Sequence, residues 1–257
     1  MFSVTGFQER RRSKLGDPIY YFEELESTNT TAELLAREGC PEGTMVLGNC
    51  QSAGRGRKGA GWFSPAGLNL YFSLVLRPDT ASLRFLPYIA SLAVQRALQQ
   101  IGIDADLKWP NDVLVDERKI CGILIQTAME DGRLLFAVVG FGINVNVLEF
   151  PAELQDVATS VALHKGSAEP REALLASLLL EFERLYETID SVSWPEFVAE
   201  MEASSSYLRD CPVRILQEGV SLEGTTKGLD SFGGLRIQTA KGEKTVYAGE
   251  VLSCRKK

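Results

Sequence analysis

The sequence predicts an α+β fold, in which helices back a mixed β-sheet and a small all-β unit follows. Three observations point there. After Lys108 the chain is strand-rich with tight turns at 116–118 and 130–132, a meander that argues for a mixed rather than a purely parallel sheet. Residues 86–101 and 171–189 carry apolar side chains at helical spacing. From Cys211 the pattern switches to short alternating runs cut by turns at 217–219, 231–234 and 241–243, about five strands in all.

Taken in order, residues 19–25 are rich in β-branched and aromatic side chains and read as a strand. Ser27 and Asn29 are helix-capping types, and the helix they start runs through Glu38 to a stop at Gly39 and Pro41. Residues 44–50 and 69–76 are apolar strands. The helix over 86–101 turns positions 86, 89, 93, 94, 97 and 101 to one side. Strands at 113–115, 119–129 and 134–146 form the meander. Pro170 suits the start of the helix over 171–189, where Leu174, Leu178, Phe182, Leu185 and Ile189 recur. A shorter helix follows near 194–204.

Bulk properties narrow the function. With 257 residues and 45% apolar content, the chain can bury a full core. A net charge of -7 gives no global nucleic-acid footprint. The cluster Arg10, Arg11, Arg12 and Lys14 reads as a solvated N-terminal arm. No apolar run approaches the ~20 residues of a membrane span, and no signal-like stretch opens the chain. Cysteines at 40, 50, 121, 211 and 254 are irregularly spaced, with no CxxC pair, which predicts reduced thiols and a cytoplasmic protein. His164 is the one histidine. It lies in a polar connector and reads as a surface-loop residue, so chemistry needing several histidines is excluded and no zinc-ligand spacing appears.

The richest stretch is 51–62, QSAGRGRKGAGW, with four glycines and three cations. Gly54, Gly56, Gly59 and Gly61 let backbone turn and approach a ligand closely. Arg55, Arg57 and Lys58 suit carboxylate or phosphate. Trp62 offers a flat face, either to a planar ring or to the core as an anchor for the loop's end. The loop is suited to closing over an anionic, partly aromatic small molecule.

Further segments fit the same chemistry: Glu26–Asn29 (ESTN), Lys108–Asp112 (KWPND), 119–124 (KICGIL) and 139–146 (VGFGINVN). In this order and spacing, over residues 19–147 and more loosely from 211 onward, the chain resembles the biotin protein ligase family. The resemblance implies a catalytic biotin- and ATP-binding domain at 1–208 and an SH3-like C-terminal β-barrel at 209–257. It implies a two-step activity. Biotin carboxylate attacks the α-phosphate of ATP to give biotinyl-5′-AMP and pyrophosphate, and a lysine of a biotin carboxyl carrier protein then takes the biotinyl group. ATP, Mg²⁺ and biotin are the small molecules expected, with no tightly bound prosthetic group. Family members with a DNA-binding helix-turn-helix domain carry it ahead of the catalytic part. Only about 18 residues precede the first strand here, so no DNA partner is expected. A side-by-side homodimer occurs in the family and is implied as a possibility.

Site residues follow from the same resemblance. Lys119 is expected as the main catalytic cation, with Arg55 and Arg57 holding carboxyl and phosphate from the loop, where fixed cations lower the cost of bringing two anions together. Lys108, Asn111 and Asp112 fall on the nucleotide side, with Asp112 either a direct Mg²⁺ ligand or an orienting group for a largely hydrated ion. Ser27, Thr28, Asn29, Gln51, Gly54 and Gly56 belong to the biotin and loop contacts, with Ser27 also suited to cap its helix. Trp62 covers the adenine or anchors the loop. Gly122, Gly140 and Gly142 let the sheet approach the biotin ring and tail. Asn144 and Asn146 serve either ligand or wall. Two other readings stand beside this one: a lipoate-type ligase, whose glycine-rich signature differs, and a non-catalytic biotin- or nucleotide-binding regulatory module.

Overall fold

A computed structural model describes residues 2–189, 194–217 and 219–254. The first part contains α1 (Val4–Arg10), β1 (Ile19–Phe22), α2 (Thr28–Arg37), β2 (Met45–Gly48), β3 (Leu70–Leu76), α3 (Leu86–Gln100), β4 (Asp106–Lys108), β5 (Asp112–Val115), β6 (Arg118–Glu130) and β7 (Arg133–Ile143). It continues with α4 (Val161–Lys165), α5 (Arg171–Glu187) and α6 (Trp194–Ala203). The last part is β8 (Arg209–Gln217), β9 (Val220–Leu229), β10 (Leu235–Thr239), β11 (Gly242–Val246) and β12 (Glu250–Cys254).

Strands β1 to β7 form one sheet in the order β1-β2-β3-β7-β6-β5-β4, and β8 to β12 a second in the order β11-β10-β9-β8-β12. Only β1 and β2 run parallel, because α2 carries the chain back between them. The neighbouring pairs are antiparallel hairpins or returns. Asp116 and Glu117 have φ of 49° and 63°, and Asp131 and Gly132 have 49° and 77°. Paired positive φ values give the tight turns whose twist matches that of antiparallel strands, which is why the meander folds as predicted.

The core lies between this sheet and α3 with α5. Every residue of β3 is buried. Phe72 stacks on Phe141 at 4.6 Å, and Phe182 of α5 meets Phe141 edge-on at 5.9 Å. Leu174, Leu178, Phe182 and Leu185 are all buried along α5. On the other sheet face, Ala32 and Ala36 of α2 pack over Val46, Val75 and Val138.

Several expectations need correcting. The basic cluster is solvated at Arg10, Arg12 and Lys14, but the segment that carries it is docked rather than a free arm. Ser3 Oγ accepts from Gly6 N at 3.0 Å to cap α1, Phe7 is wholly buried, and Lys14 N donates to Glu183 at 2.7 Å. Phe2, Phe7 and Leu15 are buried in the core and dock the segment beside α5. His164 sits in the one-turn α4, with 18% side-chain exposure and its Nε2 3.0 Å from Thr159 Oγ1, rather than in a surface loop. β1 ends at Phe22, and Leu25, just ahead of α2, keeps only a single bridge to Gln51, where the chain beyond β2 enters the glycine loop. Cys40, Cys50, Cys121 and Cys211 are free thiols, while the Cys254 side chain lies outside the described residues. Among the described residues no helix is long and apolar enough to cross a membrane.

Candidate active site

A cavity of about 680 Å³ opens where the glycine loop crosses β6 and β7. Among the residues predicted for the site, Ser27, Thr28, Asn29, Gln51, Arg55, Gly56, Arg57, Trp62, Lys108, Asn111, Asp112, Lys119, Gly122, Gly140, Gly142 and Asn144 line it. Its size matches a pocket for a drug-sized ligand. Gly54 does not line it. A side chain there would come within 2.9 Å of Gln51 Nε2 and Trp62 O, so glycine lets the two stems of the loop pass.

One end of the cavity is polar. Ser27 occupies the cap position of α2 but makes no side-chain capping bond. Gln51 takes over that task, its Oε1 accepting from Thr28 N at 2.9 Å. Gln51 Nε2 donates to Ser64 Oγ at 3.0 Å, so the amide is fixed at both ends. Asn29 is buried and lies against Gly140, where a Cβ would meet its Oδ1 at 1.8 Å.

The loop brings its arginines to different places. Arg55 is exposed on the cavity rim. Arg57 is half-buried, donating from Nη1 to Asn111 Oδ1 at 3.2 Å and from Nη2 to the Gly249 carbonyl at 3.1 Å. It thereby ties the loop to both sheets. Trp62 lies on the floor formed by paired Gly122 and Gly142, whose added Cβ atoms would meet its ring at 2.8 and 2.4 Å. In this structure the clearance over Gly140 and Gly142 is used by Asn29 and Trp62, the protein's own side chains. The Trp62 Nε1 is buried without a partner.

Lys119, near the start of β6, places its Nζ 2.6 Å from Asp112 Oδ1 and 5.4 Å from the Trp62 ring centre. The strand is held there by backbone bonds to Val157 and Thr159, with Asn144 Nδ2 donating to the Lys119 carbonyl at 3.4 Å. Asn144 is therefore both wall and lining. Asn146 is wall alone, since its amide pairs with the Glu169 backbone. Lys108 ends β4, and the cis Trp109–Pro110 peptide makes the turn that sets Asn111 and Asp112 opposite it. Burial among these strands pushes the Cys121 thiol well above its ordinary range, outweighing the Lys119 charge, and leaves it inert.

Asp112 is the one carboxylate on the cavity wall among the described residues, and it is engaged by Lys119. No group of three His, Cys, Asp or Glu residues suited to a metal stands among them. That donor set fits a largely hydrated Mg²⁺ carried on phosphate oxygens rather than a protein cage.

Sequence reasoning missed one wall. Phe150, Leu154, Val157 and Ala158 come from the segment after β7, and Gly249 with Val251 from the second sheet. The apolar residues Val147, Leu148, Phe150, Leu154, Val157 and Ala158 in the connector between β7 and α4 were the available signal.

A cationic glycine loop thus lies across paired strand glycines of a mixed sheet. Residues 21–144 match the biotin/lipoate A/B protein ligase family, and residues 212–252 match the biotin protein ligase C terminal domain. The bifunctional ligase/repressor BirA of Bacillus subtilis is 32% identical, over 92% of this chain and 74% of that protein. The biotin–[acetyl-CoA-carboxylase] ligase of Paracoccus denitrificans is 32% identical, over 88% and 96%. Among solved structures, the biotin protein ligase of Aquifex aeolicus in complex with biotin and ATP superposes with a TM-score of 0.79 at 33% identity, covering 94% of this chain and all of that one. The chain belongs to the biotin protein ligase family.

Proposed function

We propose that this protein joins biotin to a specific lysine of a biotin carboxyl carrier protein in two ATP-dependent steps. The observation that carries the reading is the meeting of Lys119, the loop arginines and the Thr28–Gln51 polar end around one cavity. In the first step a biotin carboxylate oxygen attacks the α-phosphorus of ATP, and pyrophosphate leaves with the electrons of the broken P–O bond. Lys119, with Arg55 and Arg57, offsets the charge that accumulates as two anions meet. Lys108 neutralises phosphate, and Asn111 and Asp112 orient the nucleotide side. A Mg²⁺ on the phosphates would add charge neutralisation there.

In the second step the uncharged amine of the carrier lysine attacks the acyl carbon. AMP leaves, and a proton is released to solvent. No enzyme nucleophile is needed, which suits a site whose one nearby thiol is buried and inert. The mixed anhydride hydrolyses in water, so the Arg57 contacts that hold the loop down serve to shield it. Units 1–208 and 209–257 are assigned as the catalytic and C-terminal domains of this enzyme.

The test incubates the purified protein with ATP, Mg²⁺, biotin and an apo carrier domain and weighs the carrier by intact mass spectrometry. One biotinyl addition that requires ATP supports the reading. Lipoyl addition in place of biotinyl overturns the substrate, and the absence of both adduct and pyrophosphate overturns the activity.

A further inference from the structure

We infer that the cations lining the cavity act a second time, after pyrophosphate has left, by repelling the ammonium of the incoming carrier lysine and so delivering it as the uncharged amine without a base. The inference rests on the biotin reading above and extends it to the second step.

The charges on the wall carry it. Arg55, Arg57 and Lys58 reach the wall from the glycine loop, Lys108 from the end of β4 and Lys119 from β6. Asp112, at the start of β5, is the one carboxylate there among the described residues. The residues that α2, β7, the connector at 150–158 and the second sheet bring to the wall carry no charge. The wall therefore has a formal net charge of +4 in a chain whose net charge is -7. In the first step ATP and biotin balance that charge. Pyrophosphate then takes most of the negative charge away, and biotinyl-5′-AMP keeps a single phosphate charge. The site that meets the carrier is thus strongly positive. An ammonium entering it meets like charges, which favour loss of its proton. Roughly three net charges at about 10 Å, even with the dielectric of water, raise the share of uncharged amine roughly tenfold. Exclusion of water strengthens the push.

No base competes for this role among the described wall residues. No histidine, tyrosine or cysteine lines the cavity. Asp112 Oδ1 already faces Lys119 Nζ at 2.6 Å. His164, the one histidine, lies off the wall and contacts Thr159 and Asp116 instead. The ammonium proton passes to water as the carrier docks. The amine nitrogen then forms the bond to the acyl carbon, the acyl C–O bond breaks with its electron pair going to AMP, and the remaining proton follows to solvent.

The experiment preforms the biotinyl-5′-AMP complex of the full chain, adds saturating apo carrier domain and follows a single turnover by intact mass from about pH 6 to about pH 10.5. At saturating carrier the profile reports on the bound lysine. Its midpoint should lie about one pH unit below that of an ordinary lysine side chain, and added salt should move it back up. Ala60 supplies a charge ladder, since it lines the cavity from an exposed position on the loop. On the rising limb Ala60→Lys should speed transfer about twofold by moving the midpoint down, and Ala60→Glu should slow it about twofold by moving the midpoint up. A merely structural effect does not follow the sign of the charge. A wild-type midpoint at the ordinary lysine value, or Ala60 variants that leave the midpoint in place, overturns this inference alone. Asp112→Asn should move the midpoint further down. Collapse of transfer at every pH in that variant instead makes the carboxylate the base and also overturns this inference alone. Failure of the wild type to form the adenylate from biotin and ATP overturns the ligase reading as well.

Discussion

Lys119 follows Asp116, Glu117 and Arg118, a string that by itself describes a solvated turn. Its backbone is nevertheless fixed on both sides by Val157 and Thr159, and its ammonium is paired with Asp112. Both groups retain about a third of their exposure, so the pair contributes little to stability, about 0–1 kcal/mol. The expectation for Lys119→Ala is a fall in biotin-dependent pyrophosphate release of about 10²–10³-fold with a nearly unchanged unfolding temperature. Lys119→Arg should not restore the rate, because a planar fork cannot take the place of a compact ammonium beside Asp112. Wild-type turnover in Lys119→Ala at saturating substrates would remove this residue from the mechanism. Which residues face the cavity was largely legible in the motifs. The wall from Phe150, Leu154, Val157 and Ala158 was not, because no motif extends past Asn146 and only the backbone bonds of Lys119 to Val157 and Thr159 bring that segment over the cavity.

Among the elements, β6 and β7 matter most to the site, since their register puts Gly122 directly opposite Gly142 beneath Trp62. Gly142→Ala adds a methyl 2.4 Å from the indole, a separation no packed pair tolerates. The loop end must then lift. Biotin affinity should drop about tenfold or more, and an added Trp62→Ala should relieve part of that loss. Binding by the two single variants and the double variant checks this coupling. By contrast, α5 serves the fold. Phe182→Ala removes a wholly buried ring and should cost about 3–5 kcal/mol in chemical unfolding, with the activity of the remaining folded protein unchanged. The spacing of α5 announced this role from sequence. β4 and α1 escaped notice because one is three residues long and the other is apolar at a single buried position, too little for either periodicity to register.

At the scale of the whole molecule, the second sheet touches the site in two ways. Gly249 accepts from Arg57 of the glycine loop. Farther off, the Tyr88 hydroxyl donates to the Gly233 carbonyl, while Trp194 Nε1 donates to the Asp230 carbonyl at 2.8 Å. Burial pushes the Tyr88 phenol up to about 12, against the pull of neighbouring Trp109, so it stays a neutral donor across the working pH range. Trp109 stands two residues before Asn111, and Asn111 holds the other half of Arg57. Trp109 and Tyr88 share one small pocket, so the joint and the loop meet at the turn of residues 109–111. Tyr88→Phe keeps the packing but leaves the buried Gly233 carbonyl without this partner, at a cost of about 1–3 kcal/mol. If the joint and the loop act as a unit, amide exchange should quicken at 249–251 as well as at 230–234, and the KM for ATP should rise several-fold. The affinity for biotin alone should stay within about twofold, because the Thr28–Gln51 end shares no partner with the joint. Exchange that quickens only at 230–234 would show that the C-terminal sheet steadies the fold and the loop separately.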